Sequence, residues 1–151
     1  MSVEIARKIS VRRIGEEDRP LLEAMYDTFI PHGLAHGLPP REPAQRRDWL
    51  ASLRAGINLA AFADATLAGH LALMPCNGDV ELTCFVHQDF RRQGIAWALA
   101  EAAVGEARAA GFTAIWVLID NPNIPARRGL IQFGFRAEWE DISEAKYVYD
   151  L

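Results

Sequence analysis

Arg91-Arg92-Gln93-Gly94-Ile95-Ala96 stands where a β-branched and aromatic run gives way to an alanine-rich one. A helix that starts there leaves its first backbone N–H groups without acceptors, backed by the positive end of its dipole. Such a start favours a phosphate. Gly94 has no Cβ, so a phosphate oxygen can approach the backbone, and Ala96 adds little bulk. Amides donating to a charged partner are worth roughly 1.5–3 kcal/mol each. Other reactive side chains are less well accompanied. His32 and His36 have i,i+4 spacing but flank glycines in a loop after Pro31, with no acidic or cysteine ligands beside them, so no metal is expected. Cys84, between Thr83 and Phe85, lacks a partnered histidine and is a poor nucleophile.

Periodicity predicts the elements that position this junction. Residues 9–14 alternate as a strand, Ile9 and Val11 against Ser10 and Arg12, and stop at Gly15. Glu16-Glu17-Asp18 before Pro20 reads as a helix start. Leu21, Leu22, Met25, Tyr26 and Phe29 then recur at helical spacing until Pro31. Residues 31–43 are a loop rich in Pro, Gly and His. A second helix is expected over residues 44–55, with Trp49, Leu50 and Leu53 on one face, Arg46, Arg47 and Asp48 elsewhere, and Gly56 as its stop.

Strands are expected over residues 57–63, 67–74 and 80–87, with turns at Asp64-Ala65-Thr66 and around Asn77-Gly78. The helix after Gly94 closes at Gly111. The apolar strand over residues 113–119 has the pattern of one buried on both faces. A short helix over 125–133 follows, then a hairpin of residues 135–139 and 147–151 around Glu140-Asp141-Ile142-Ser143-Glu144. The order β α α β β β α β α β β, without repeats or linkers, is that of a single α/β domain over residues 1–151 with a mixed sheet.

With 151 residues, half of them hydrophobic and 24% charged, the chain has enough apolar surface for one core. No apolar run is long enough to span a bilayer, and the N-terminus lacks a signal peptide's apolar centre, so no membrane partner and a cytoplasmic location are expected. Cys76 and Cys84 are too few for a disulfide framework and are expected to be reduced and structural. A net charge of −4 argues against nucleic-acid binding by the whole surface. The basic pairs Arg12 and Arg13, Arg46 and Arg47, Arg91 and Arg92, and Arg127 and Arg128 suit a small anionic ligand instead.

In element order over nearly its whole length, and in two motifs, the chain resembles the GCN5-related N-acetyltransferase (GNAT) superfamily. Arg91-Arg92-Gln93-Gly94-Ile95-Ala96 matches that family's Arg/Gln-x-x-Gly-x-Gly/Ala. Asn123-Ile124-Pro125-Ala126, followed by Gly134-Phe135, matches its Asn-x-x-Ala and Gly-Phe. The resemblance implies a mostly antiparallel sheet flanked by helices. It also implies acetyl-coenzyme A as cosubstrate, with its pyrophosphate on residues 91–96 and its pantetheine arm beside Asn123 and Ala126. Read from the residues alone, Asn123 caps the last helix, and the two roles are compatible. Either Arg127 or Arg128 reaches a phosphate, or both lie on a solvated helix face. The preceding strand is expected to supply at least one amide to the thioester from Cys84, Phe85 or Val86.

The implied reaction is direct acetyl transfer to a primary amine, carried by a small molecule or by a protein lysine or N-terminus. Freeing such an amine, of pKa about 10.4, at pH 7 costs about 4.6 kcal/mol, so a general base is useful. Glu81, inside an otherwise apolar strand ten positions before Arg91, is the candidate. Lysine acetyltransferases of the superfamily resemble it there, with a glutamate on the equivalent strand; a surface glutamate is the alternative. Many members also carry Tyr seven positions after the motif's Asn, where it protonates the departing thiolate, but here that position is Leu130. A thiol of pKa about 8.5 leaves acceptably without help. Tyr26, Tyr147 and Tyr149 are expected to pack.

In the superfamily the loop carrying His32 and His36 lines the acceptor cleft. The acidic residues 138–144 would attract a cation, or form only a solvated hairpin tip. Rival readings are a coenzyme A-binding sensor module without turnover and a protein-interaction domain. A homodimer through edge strands rests on analogy with the fold.

Overall fold

The computed structural model describes residues 7–33 and 38–151. Its strands are β1 (Ile9–Arg13), β2 (Ile57–Ala63), β3 (Thr66–Cys76), β4 (Asp79–Val86), β5 (Ala114–Asp120), β6 (Arg136–Glu140) and β7 (Glu144–Asp150). Its helices are α1 (Arg19–Thr28), α2 (Pro43–Ser52), α3 (Ile95–Ala109) and α4 (Ile124–Phe133). The strands form one sheet in the order β1-β2-β3-β4-β5-β7-β6. Every neighbouring pair is antiparallel except β4 and β5. Asn77 and Gly78, with φ of 50° and 91°, make the mirror-image turn that suits a two-residue hairpin between β3 and β4.

Alternation sorts side chains to two cores. Leu59, Leu71, Leu73, Val80 and Leu82 pack with Ile95, Leu99, Ala103 and Ala107 of α3. A Cβ on Gly69 would stand 3.0 Å from the Ile95 side chain, so a glycine in β3 lets α3 approach the sheet closely. On the opposite face Ala60, Phe62 and Leu67 pack with Leu22, Met25, Tyr26 and Phe29, with Trp49, Leu50 and Phe85 beside them. This second core encloses a polar chain. The Asn58 carboxamide nitrogen donates to the Leu53 carbonyl at 2.7 Å, so its oxygen accepts from His70 Nε2 at 2.8 Å. His70 Nδ1 is then the acceptor for Tyr26 Oη at 2.6 Å. At the other end of α1, the Arg12 guanidinium and the Gly15 amide hold the Asp18 carboxyl, with its pKa down at about 2.

Several boundaries differ from the sequence expectation. α1 ends at Thr28, with Phe29 already extended; a residue before proline disfavours the helical region, and the chain leaves the helix earlier still. Arg46, placed off the apolar face of the second helix by its spacing, is buried. It donates to Asp27 at 2.6 Å and to the Pro40 and Arg41 carbonyls, tying α2 to α1 and to the segment before it. β5 is buried fully on one face only, because Trp116 and Leu118 are half-exposed. β7 begins at Glu144, with Ala145 and Tyr147 facing the core between polar Glu144 and Lys146. The acidic hairpin loop therefore shrinks to residues 141–143, and Asp141 accepts from the amides of Ser143 and Glu144. Glu138 pairs with Lys146 and Glu140 with Arg127, so these carboxylates have internal cations.

Candidate active site

β4 and β5 are paired only at Val80 with Ile115 and at Glu81 with Trp116. Beyond Glu81 they part, and the gap opens toward the start of α3. The His87 amide donates to the Ala68 carbonyl of β3 at 2.8 Å. Strand amides alternate sides, so those of Phe85 and Thr83 also face β3, while those of Cys84 and Val86 face the gap. Phe85 turns away as well: its ring packs on Tyr26, Phe29 and Trp49. Of the three β4 residues expected at the cofactor, Phe85 is thus placed elsewhere, as an aromatic neighbour of α1 and α2.

At the start of α3, Gly94 has φ +76° and no atom within 4 Å of where a Cβ would sit. The first helical amide to find a backbone acceptor is that of Ala98, on the Gly94 carbonyl. The amides of Gln93, Gly94, Ile95 and Ala96 therefore remain available, and all of these residues but Ile95 are exposed. The Ile95 side chain is buried beneath the helix, so only its backbone serves the loop. Arg92, at φ +63°, is exposed. Arg91 bends back: it donates to the Val86 and Ile30 carbonyls and lies over the Phe29 ring, bracing the loop.

Between the parted strands, α3 and α4 lies a cavity of about 360 Å³. Cys84, Val86, Ala96, Trp97, Ala126 and Leu130 are among its walls. The lining is almost wholly apolar and includes no tyrosine. Tyr26 is committed to His70, the Tyr147 hydroxyl accepts from Arg127 Nε at 2.9 Å, and the Tyr149 ring packs against Phe133 and Phe135. Arg127 thus points into the β6–β7 side of the sheet rather than to a phosphate. Burial pushes the Cys84 thiol up to about 12, so it is neither a nucleophile nor a ready acid at neutral pH. Asn123 caps α4, its side-chain oxygen accepting from the Ala126 amide at 3.4 Å.

Glu81 sits at the vertex of the gap, on the face shared with Thr83 and Phe85, half-buried beside Trp116. Among the described residues its carboxylate has no ion-pair or hydrogen-bond partner. The histidines take structural roles. His32 donates to the Tyr26 carbonyl, and buried His87 accepts the Asp89 amide at Nδ1 and donates from Nε2 to Thr28. His36 lies outside the described residues. Among those residues no three His, Cys, Asp or Glu gather around a metal-sized space, and no helix is long and apolar enough to cross a membrane.

Sequence reasoning missed Trp97. It is 46% exposed, stands on the edge of Phe133 with ring centroids 4.9 Å apart, and donates to Glu101. Its signal was a lone indole on an alanine-rich helix, three residues past Gly94.

An exposed amide cradle at Gly94 and an apolar slot wide enough for a slender arm fit a ligand that joins phosphates to a flexible chain, as coenzyme A does. A mixed sheet whose one parallel pair opens onto such a cradle defines an acyl-coenzyme A-dependent transferase. The model of the acetyltransferase (GNAT) family matches residues 21–135. The chain belongs to that family, and is an acyltransferase that uses acetyl-coenzyme A.

Solved structures share the fold. An N-acetyltransferase from Staphylococcus aureus Mu50 superposes with a TM-score of 0.77 at 18% identity, over 95% of this chain and 98% of that one. The GNAT domain of S. lividans PAT gives 0.79 at 16%, over 93% and 89%. A putative acetyltransferase, yncA of Salmonella typhimurium, solved with its cofactor acetyl-CoA, gives 0.76 at 16%, over 95% and 94%. At these identities the likeness is one of fold. Among curated protein sequences none matches this one.

Proposed function

We propose that the chain transfers an acetyl group directly from acetyl-coenzyme A to a primary amine, with Glu81 as general base. The observation that carries this reading is the parting of β4 and β5 at Glu81, which opens the sheet toward the α3 amide cradle. Bound there, acetyl-coenzyme A supplies an activated acyl carbonyl. The amides of Gln93, Gly94, Ile95 and Ala96, with exposed Arg92 nearby, hold the pyrophosphate. Ala126, from the first turn of α4, and Asn123, at its cap, border the pantetheine arm. The free amides of Cys84 and Val86 polarise the carbonyl.

Glu81 faces the α1 and α2 side of the sheet and has no partner to satisfy. It removes a proton from the incoming ammonium, directly or through one water, so that the nitrogen lone pair reaches the carbonyl carbon. Leu130 offers no proton, and the sulfur departs as thiolate. The acceptor is an amine of a small molecule or of a protein. Unpaired Cys76 and Cys84 suit a reducing, cytoplasmic setting.

The test is Glu81→Gln, which keeps shape and removes basicity. At pH 7 it should lower kcat by about 10²- to 10⁴-fold, while the acetyl-coenzyme A Kd changes less than about threefold. A variant as fast as the parent with any amine that the parent acetylates removes Glu81 from the mechanism.

A further inference from the structure

A second cavity, of about 440 Å³, lies between α1, α2 and the ends of β1 and β2, and shares no lining residue with the slot between β4 and β5. Helical spacing builds its walls. Arg19, Leu22 and Glu23 project from one face of α1, Arg47 and Leu50 from one face of α2, and Arg54 from the short 3-10 turn that follows it. Ile14, Leu22 and Leu50 form an apolar floor, and the arginines with Glu16 and Glu23 form the rim.

The two carboxylates of the lining, Glu16 and Glu23, balance the rim arginines only in part. Arg19 has Glu16 at 3.5 Å. Arg13, whose backbone borders the cavity, sends its guanidinium to Glu106 on the other face of the sheet. Among the described residues, Arg47 and Arg54 have no carboxylate within ion-pair distance. Arg47 on α2 and Arg54 in the 3-10 turn after it both line the cavity and present two guanidinium groups beside apolar surface. A guanidinium fork matches a carboxylate or phosphate, and the floor matches an alkyl or ring body.

We propose that this groove is a second ligand site, specific for a small amphipathic anion: a carboxylate or phosphate carried on an apolar body. The apolar body covers Ile14, Leu22 and Leu50, and the anionic head is held between Arg47 and Arg54. The volume falls in the range of small-molecule sites, about 300–1,000 Å³. The site is independent of the acetyl-transfer reading, since it uses neither Glu81 nor the α3 cradle.

Calorimetric titration of the full chain with octanoate, octyl phosphate and inorganic phosphate tests it. Saturating coenzyme A is present throughout, to keep the amphiphiles out of the other slot. At least one amphiphile should saturate below millimolar concentration and bind at least about tenfold tighter than inorganic phosphate. Which of the two binds tighter distinguishes a carboxylate from a phosphate ligand. The double variant Arg47→Gln and Arg54→Gln should weaken that binding at least about tenfold and leave coenzyme A binding unchanged, which also reports that it is folded. Leu50→Asn should weaken the amphiphile alone. No saturation by either amphiphile, equal binding by the double variant, or inorganic phosphate binding as tightly as the amphiphiles would each overturn the site.

Discussion

Gly94 and Cys84 carry opposite lessons about single residues at the proposed cofactor slot. Open space surrounds Gly94, so an added methyl would meet no neighbour; the cost of Gly94→Ala is its φ of +76°. That cost is about 1–2 kcal/mol of stability. Relaxing the strain swings the amides of residues 93–96 out of alignment. Loss of one amide contact to phosphate, roughly 1.5 kcal/mol, would raise the acetyl-coenzyme A Kd about tenfold. A calorimetric titration reads this, and an unchanged Kd removes the loop from the cofactor site. Cys84 differs because its environment silences it. With its thiol at about 12, it is almost wholly protonated at pH 8, whereas Cys76 is exposed. Iodoacetamide at that pH should therefore add one carbamidomethyl group to the native chain and a second only after unfolding. Intact-mass spectrometry counts them, and rapid double labelling would refute the burial.

At the scale of elements, the Tyr26–His70–Asn58 chain couples α1 and the end of α2 to the middle of the sheet. Burial holds the His70 pKa near 4, below its usual value of about 6.5. A histidine depressed on folding binds its proton more readily in the unfolded chain. Its stabilising share is fully present above about pH 6.5 and is lost as pH falls toward 4, worth roughly 3 kcal/mol in all. Urea unfolding of the parent between pH 7 and 4 should show that slope, and His70→Gln should lack it. Parallel slopes would mean that His70 titrates normally. Tyr26→Phe should cost about 1–3 kcal/mol at pH 7, because it leaves the buried Nδ1 without a donor.

These contacts also mark what the sequence concealed. Strand alternation, the Asn77-Gly78 turn and the Gly94 helix start were legible because each is a local pattern. Buried Arg46, the hydrogen bonds around His70 and the pairing of Glu144 and Lys146 within a strand rest on contacts between separate elements, which no local pattern carries. At the proposed site, the helix start after Gly94 and the place of Glu81 within a strand were legible. The turning of Phe85 away from the gap follows only from which β4 amides bond to β3.

Taken whole, the molecule is two half-sheets hinged at two residue pairs. β1 to β4 form one half, cored by α3 on one side and by α1 with α2 on the other, and β5, β7 and β6 form the second. Past Glu81 the packing of α3 and α4 over the slot, with Trp97 against Phe133, bridges the halves. A ligand in the slot therefore adds contacts that the free chain lacks, and it stabilises folding by mass action. At a free concentration of 100 Kd the gain is about 2.7 kcal/mol. The same geometry says where local opening should be suppressed. Hydrogen exchange should slow at residues 84–86, in the first turn of α3 and in α4. The antiparallel β1–β2 pair, at the far edge of the sheet from the slot, should change little. Protection spread evenly over all seven strands would mean that the ligand acts through global stability alone. Protection confined to β1, α1 and α2 would put the cofactor at the wrong end of the sheet.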